Sequence, residues 1–355
     1  MSTTAGNMTE RGNGAVAGAN ATPASSGHHS IGAAPHASPA AAAQTLAPAK
    51  DVRPDAGETS RAFNRDLSWL EFNRRVLHQA IEKRTPLLER VRFLGIFSSN
   101  LDEFIMKRIG ALKSRLADAS GLAAAQSPDQ DGLPAGVLLS ALRKTIRELQ
   151  TFQTTIFETE VKPALAREEI ALVDYAELSE PERKWANNWH RHNVFPVLTP
   201  LSVDPGHRFP FISNLSRNFG VLLAEPGRFE PLFARVKVPS VLSQWIQIPP
   251  IAALEQSGVD ASNSGIVPAG RGKFVNLRDI IRHNLDDLFP GMQIVEVVAF
   301  RVTRDSETEA GDDDADNLLE LVEAQLRRRR FADTVRLEIG PNPSSTVLSH
   351  LADEL

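Results

Sequence analysis

Asn100 is the polar residue whose type and setting most invite chemistry. It follows Ser98-Ser99 and precedes Leu101-Asp102-Glu103, a pattern that predicts a helix opening at this point with Asn100 as N-cap and acids in the first turn. Free N–H groups at a helix N-terminus attract anions, and an Asn amide there can both donate and accept. Arg90, Arg92, Lys107 and Arg108 lie nearby and could meet a phosphate. The simpler reading, which local sequence favours, is that Asn100 only caps and that Glu103 and Lys107 form an i,i+4 pair.

Other constellations are weaker. Asp305 to Asp316 holds seven carboxylates and no base, which brings calcium to mind. Gly311 falls one position late for an EF-hand loop starting at Asp305, so a solvated loop is the better reading. Arg327, Arg328, Arg329 and Arg330 end an expected helix; they could hold a polyanion or merely complement the helix dipole. His207, in the run Asp204 to Pro210, and His283 are the nearest to catalytic histidines, yet neither has a companion acid at telling spacing. His28, His29 and His36 could be a metal tract, with scattered solvated histidines the plainer alternative. There is no Walker loop, no Gly-x-Gly-x-x-Gly opening a helix and no Gly-x-Ser-x-Gly elbow. No residue in the chain is therefore assigned a catalytic or metal-binding role.

The elements that would position these residues fall into three stretches. Residues 1–60 contain 16 alanines and many Gly, Ser, Thr and Pro, with no aromatic residue before Phe63; such a composition predicts a disordered tail. Residues 61–167 read as four helices in an antiparallel bundle. The first opens at Ser68, with Glu71 completing a capping box, and buries Trp69, Phe72, Val76 and Ala80. The second opens at Thr85-Pro86 and stops near Gly95, the third starts at Asn100, and the fourth runs from about Ala135 to Arg167. Residues 168–355 read as an α+β domain, so the fold class is α + (α+β). A helix at 180–193 leads into a proline-stiffened loop, Phe195 to Pro200. Strands are expected at 219–224, 233–238, 245–248, 274–277, 294–302 and 334–339, in a largely antiparallel sheet, with helices at 279–288 and 316–330. The chain stops at Leu355 with a helix from Val347 under way, an ending that looks cut.

Composition narrows the classes. A net charge of −5 from 39 bases and 44 acids makes any polyanion site local rather than global, and nucleic acid is not an expected partner. With no cysteine there is no disulfide framework, thiol nucleophile or thiolate zinc site. No apolar run approaches the roughly 20 residues that span a bilayer, and no secretory signal is present. The expected location is the cytoplasm, with peripheral attachment to the inner membrane as an alternative.

Several runs, in unchanged order from about residue 62 to the end, resemble the polyphosphate kinase family. They are Arg65-Asp66-Leu67-Ser68-Trp69-Leu70-Glu71-Phe72-Asn73, Arg92 to Phe104, Phe195 to Pro200, Ile281 to Gly291, Phe300 to Asp305 and Leu326 to Phe331. The resemblance implies an N-terminal helical domain and a dimerising head domain, followed in the family by two C-terminal domains that carry the chemistry. It implies reversible transfer of the terminal phosphate of ATP to polyphosphate through a phosphohistidine, with Mg2+, in a homodimer or tetramer. It makes Asn100 an ATP contact. The family's phosphoacceptor histidine and metal ligands match nothing here, so the chain alone is expected to be inactive. A naturally short, non-catalytic module that dimerises and binds nucleotide is the alternative.

Overall fold

In the computed structural model, residues 64–118, 133–203, 209–227, 231–250, 270–306 and 332–355 are described, all within one compact unit. The expected tail, His28, His29, His36, His207, the run Arg327 to Arg330 and most of the acidic stretch lie outside them.

The helical region differs from the four-helix expectation. The first helix, α1 (Arg65–His78), is capped by Asn64, whose Oδ1 accepts from the Asp66 and Leu67 N–H groups at 3.1 Å each, so Ser68 lies inside the helix and is no cap. The next helix, α2 (Leu87–Phe104), has Pro86 at its N-cap and continues through Gly95 and Asn100 into a π turn (Ile105–Ile109) and then α3 (Gly110–Asp118). The expected second and third helices are thus one rod. Its continuity follows from the buried series Leu94, Phe97, Leu101, Phe104, Ile105, Ile109 and Leu112, which keeps helical spacing across both supposed breaks. A third rod comprises α4 (Ala135–Ile156), a second π turn (Phe157–Val161) and α5 (Lys162–Arg167). All three share one core, in which Leu70, Leu77, Phe97, Leu138, Leu142 and Leu149 are among the residues fully shielded from solvent. A mixed region of sheets and helices follows.

Its first sheet is small. Strand β1 (Ile170–Val173) lies parallel to β6 (Gly272–Asn276), which is antiparallel to β5 (Trp245–Ile248). The larger sheet has the order β2 (Pro200–Val203), β4 (Leu232–Lys237), β3 (Arg217–Ala224), β7 (Gln293–Arg304), β8 (Thr334–Ile339), antiparallel throughout. Six strands fall where the alternation of apolar residues places them; β1 and β2 do not emerge from it. The proline run 195–200 is a 3-10 turn (Phe195–Val197) leading into β2, where Pro200 opens an edge strand, a position that tolerates its missing N–H.

Each sheet face has its own cover. One face packs Phe219, Val221, Leu223, Ala234 and Val236 with α6 (Glu180–Asn193) and α7 (Leu277–Arg282). The other packs Leu222, Phe233, Val298 and Phe300 with α8 (Ser345–Glu354), which Ser344 caps. Val335 of β8 buries in the helical core instead, and Lys113 Nζ donates to its carbonyl at 2.6 Å, so the sheet edge and α3 are directly joined.

Candidate functional site

Asn100 stands in the interior of α2, where backbone N–H groups are used within the helix, so it is neither an N-cap nor part of a helix-terminal anion site. Its side chain faces α1. Asn100 Nδ2 donates to Asn73 Oδ1 at 3.1 Å, and Asn73 Nδ2 donates to the Phe97 carbonyl at 3.2 Å. Asn73 is wholly buried, and a buried amide must satisfy both ends. The Phe97 carbonyl takes its nitrogen, so its oxygen turns to Asn100. That in turn uses one of the two Asn100 Nδ2 hydrogens and leaves Asn100 Oδ1 with no donor among the described residues. The half-buried amide therefore offers its oxygen as an acceptor, together with one remaining N–H, to whatever approaches.

Around this pair the wall is rigid. Trp69 stacks on Phe104 with ring centroids 4.6 Å apart. Gln153 Nε2 from α4 donates to Ser98 Oγ at 2.6 Å and to the Leu94 carbonyl at 2.9 Å. Asp66, itself buried, accepts from Arg108 Nε at 2.8 Å, so Arg108 is committed to α1. Lys107 pairs with Glu103 at 2.6 Å, as i,i+4 spacing predicts. Arg90 reaches Glu160 at 2.8 Å and Arg92 reaches Glu89 at 3.6 Å. The structure thus ties all four nearby cations to carboxylates and does not gather them around Asn100.

Two residues past Asn100, the helix turns a different face to the large sheet. Asp102 accepts from both Nη groups of Arg301 at 2.8 and 2.9 Å, and Arg301 Nε donates to Glu338 at 2.5 Å. Arg336 bonds the other oxygen of Glu338 and lies 3.8 Å from Asp102. Burial acts to lower the Arg301 pKa, but the hydrogen bonds and charges of Asp102 and Glu338 outweigh it and raise it. For Arg336 burial wins and the pKa falls. Arg217 extends the row, opposite Arg301 in the ladder; burial and the charges of Arg301 and Arg278 lower its pKa against Asp102.

The first π turn completes this junction. A widened turn frees a carbonyl from the helical ladder, and the Met106 carbonyl accepts from the Ser306 N–H at 3.2 Å. Gly110, just beyond, lets the Asp305 carboxylate approach to where a Cβ would lie 2.4 Å away. Asp305, the first residue of the acidic stretch, is buried against the helix instead of lining an open loop. His283 is likewise structural: its ring stacks on Tyr175 at 4.1 Å and its Nδ1 lies 2.8 Å from the Asp279 carbonyl.

The residues present were tested against the magnesium that the family resemblance implies. Among the described residues no group of three or more acids and histidines could hold a metal. Asp102 and Glu338, brought together at the junction, are both engaged by guanidinium groups. These donors do not fit the ion, and no step is routed through it. No helix among the described residues is long and apolar enough to cross a membrane.

Sequence reasoning missed Asn73, although it carries a usable signal. It sits between Leu70 and Leu77 on the buried stripe of α1, and a polar residue on such a stripe needs a partner. The Asp102–Arg301 pair spans 199 residues, and no spacing rule reaches that far.

Comparison with known proteins agrees with this architecture. Residues 62–173 match the family model of the polyphosphate kinase N-terminal domain, and residues 181–355 that of the polyphosphate kinase middle domain. Polyphosphate kinase of Synechocystis sp. is 44% identical over 295 residues, covering 82% of this chain and 38% of the relative. That of Mycobacterium tuberculosis is 40% identical over 325 residues, covering 92% and 41%. The crystal structure of polyphosphate kinase from Porphyromonas gingivalis superimposes with a TM-score of 0.61 at 23% identity, over 84% of this chain and 38% of that one, a likeness of fold. The chain spans about two fifths of the length of the curated relatives it matches. By both its helical and its mixed region, the chain belongs to the polyphosphate kinase family.

Proposed function

We propose that this chain supplies the N-terminal wall of the nucleotide site in an enzyme that reversibly transfers the terminal phosphate of ATP to inorganic polyphosphate. The observation that supports it is the Asn73–Asn100 pair, which presents Asn100 Oδ1 as an acceptor with no partner among the described residues, beside the stacked Trp69–Phe104 wall. At neutral pH the phosphates of ATP have no hydrogen to offer. An acceptor suits the exocyclic amine of the base or a ribose hydroxyl. Asn100 is thus an ATP contact through the nucleoside end, where its free oxygen meets a donor.

Phosphoryl transfer itself needs a nucleophile, charge-stabilising groups and a metal, and those belong to the part of the family's length outside this match. In this reading a phosphohistidine there carries the phosphate and Mg2+ accompanies ATP. The 355-residue chain alone makes no polyphosphate, and the working unit is a homodimer or tetramer. The test is Asn100→Ala in the complete enzyme. The KM for ATP should rise about ten-fold, the cost of roughly one hydrogen bond of 1.4 kcal/mol, with the KM for polyphosphate unchanged. ATP kinetics equal to the unaltered enzyme would leave Asn100 a purely structural residue.

A further inference from the structure

On the sheet face that α8 covers, strands β3 and β4 bring three polar residues together. Alternation puts Asn218 on the same side as Leu222, and Arg235 and Lys237 on the same side as Phe233. Arg235 is only 6% exposed and Asn218 1%. Arg235 Nε donates to Asn218 Oδ1 at 2.9 Å. Asn218 Nδ2 donates to the Ser216 carbonyl at 2.9 Å and to Ser216 Oγ at 3.1 Å, which fixes the amide with its oxygen toward the guanidinium. Lys237, directly opposite Asn218 in the ladder, places Nζ 3.5 Å from Ser213 Oγ.

Ser213 and Ser216 flank a tight turn. Ser216 N–H donates to the Ser213 carbonyl at 3.1 Å, and between them Leu215 has φ of +57°. A non-glycine residue in the left-handed region is strained and persists where its surroundings hold it. Here the Leu215 N–H is tied to the Val302 carbonyl at 2.9 Å. Arg304 Nε holds the neighbouring Ile212 carbonyl at 2.9 Å. The Ser213 hydroxyl is thereby held beside the Lys237 ammonium, while the Ser216 hydroxyl donates to the Ser213 carbonyl at 2.7 Å.

A guanidinium taken out of water demands a counter-charge. Arg108 finds one in Asp66, and Arg301 and Arg336 find theirs in Asp102 and Glu338. Arg235 does not. It has no carboxylate partner among the described residues, and its Nη groups, which carry four of the five guanidinium N–H donors, bond nothing there. Burial lowers its pKa with no acid opposing.

We propose that Arg235 and Lys237, with the Ser213 hydroxyl, bind one phosphoryl unit of an inorganic oligophosphate. The planar Nη pair of Arg235 matches two oxygens of a phosphate, Lys237 supplies a second charge, and the Ser213 hydroxyl donates to a remaining oxygen. The site shares no residue with the Asn73–Asn100 pair. That an anion binds follows from the buried, uncompensated guanidinium; that it is a phosphate rests on the polyphosphate reading above.

The experiment is calorimetric titration of the full 355-residue chain at low salt with inorganic tripolyphosphate, orthophosphate and citrate. Tripolyphosphate should bind more tightly than orthophosphate, and its affinity should fall at least ten-fold in both Arg235→Gln and Lys237→Gln while Asn100→Ala leaves it unchanged. Lys237 is half-buried, so its variant keeps the test available if Arg235→Gln fails to fold by circular dichroism. No heat with tripolyphosphate, or equal affinity in Lys237→Gln, overturns the proposal. Citrate binding as tight as tripolyphosphate overturns the phosphate assignment. None of these outcomes bears on the ATP kinetics that test Asn100.

Discussion

Replacing Asp102 by Asn should weaken the protein far more than an average surface charge change. Asp102 is 15% and Arg301 26% exposed at the side chain, and two parallel hydrogen bonds join them. Exposed ion pairs contribute about 0–1 kcal/mol, whereas removing one member of a buried pair costs about 3–5 kcal/mol because a charge is stranded. This pair lies near the buried limit, but Glu338 still compensates Arg301 and Asn keeps one acceptor, so a loss of about 2–3 kcal/mol is expected. In a protein of this size that lowers Tm by about 3–5 °C. Thermal and urea unfolding of Asp102→Asn, Arg301→Gln and the double variant would give the coupling energy. Glu82→Gln is the control: Glu82 lies beside Arg84, whose side chain is 90% exposed, and its loss should not register. A coupling below about 0.5 kcal/mol would refute the claim that this junction fastens α2 to the sheet.

Gly95 and Gly110 should respond oppositely to alanine. Nothing lies within 4 Å of a Cβ at Gly95, so Gly95→Ala should stabilise by up to about 1 kcal/mol from helix propensity. At Gly110 the Cβ would meet the Asp305 carboxylate at 2.4 Å, so Gly110→Ala should destabilise despite the same propensity gain, read by the urea midpoint. Buried His190 has no partner for either ring nitrogen among the described residues; burial lowers its pKa, with Asp287 opposing and Arg191 reinforcing. The unfolded state then binds the extra proton, so stability is fully present above the unfolded pKa of about 6.5 and falls below it, by at most about 1.4 kcal/mol per pH unit. His190→Phe should flatten that segment of the stability–pH curve. For Glu182, burial raises the pKa, but Lys273 at 2.7 Å and the Ser179 N–H and hydroxyl outweigh it and leave it lowered. Its contribution is present above the unfolded pKa of about 4.3 and is lost as pH falls through the depressed folded value. Glu182→Gln should therefore remove part of the acid sensitivity measured between pH 5 and pH 3.

Element type was legible in the residues wherever one side of an element is apolar. Helix α6 and six of the eight strands stand where periodicity puts them, because burial of one face writes a period of 3.6 or 2 into the chain. Boundaries were less so. The Ser-Asn-Leu-Asp-Glu run looks like a helix start because capping residues act locally, yet the stripe from Leu94 to Leu112 runs straight through it. Burial of that stripe outweighs a local preference of about 1 kcal/mol. Strands β1 and β2, four residues each, are too short for a period, and β1 exists because Ile170 meets Gly272 across the chain. The order of motifs along the chain was enough to name the family. Which way the Asn100 amide points was decided by Asn73, which carbonyl the π turn frees was decided by Ser306, and Arg301 found Asp102 only when sheet and helix packed. Those are contacts between residues distant in sequence, and a linear pattern holds no record of them until the core brings the elements together.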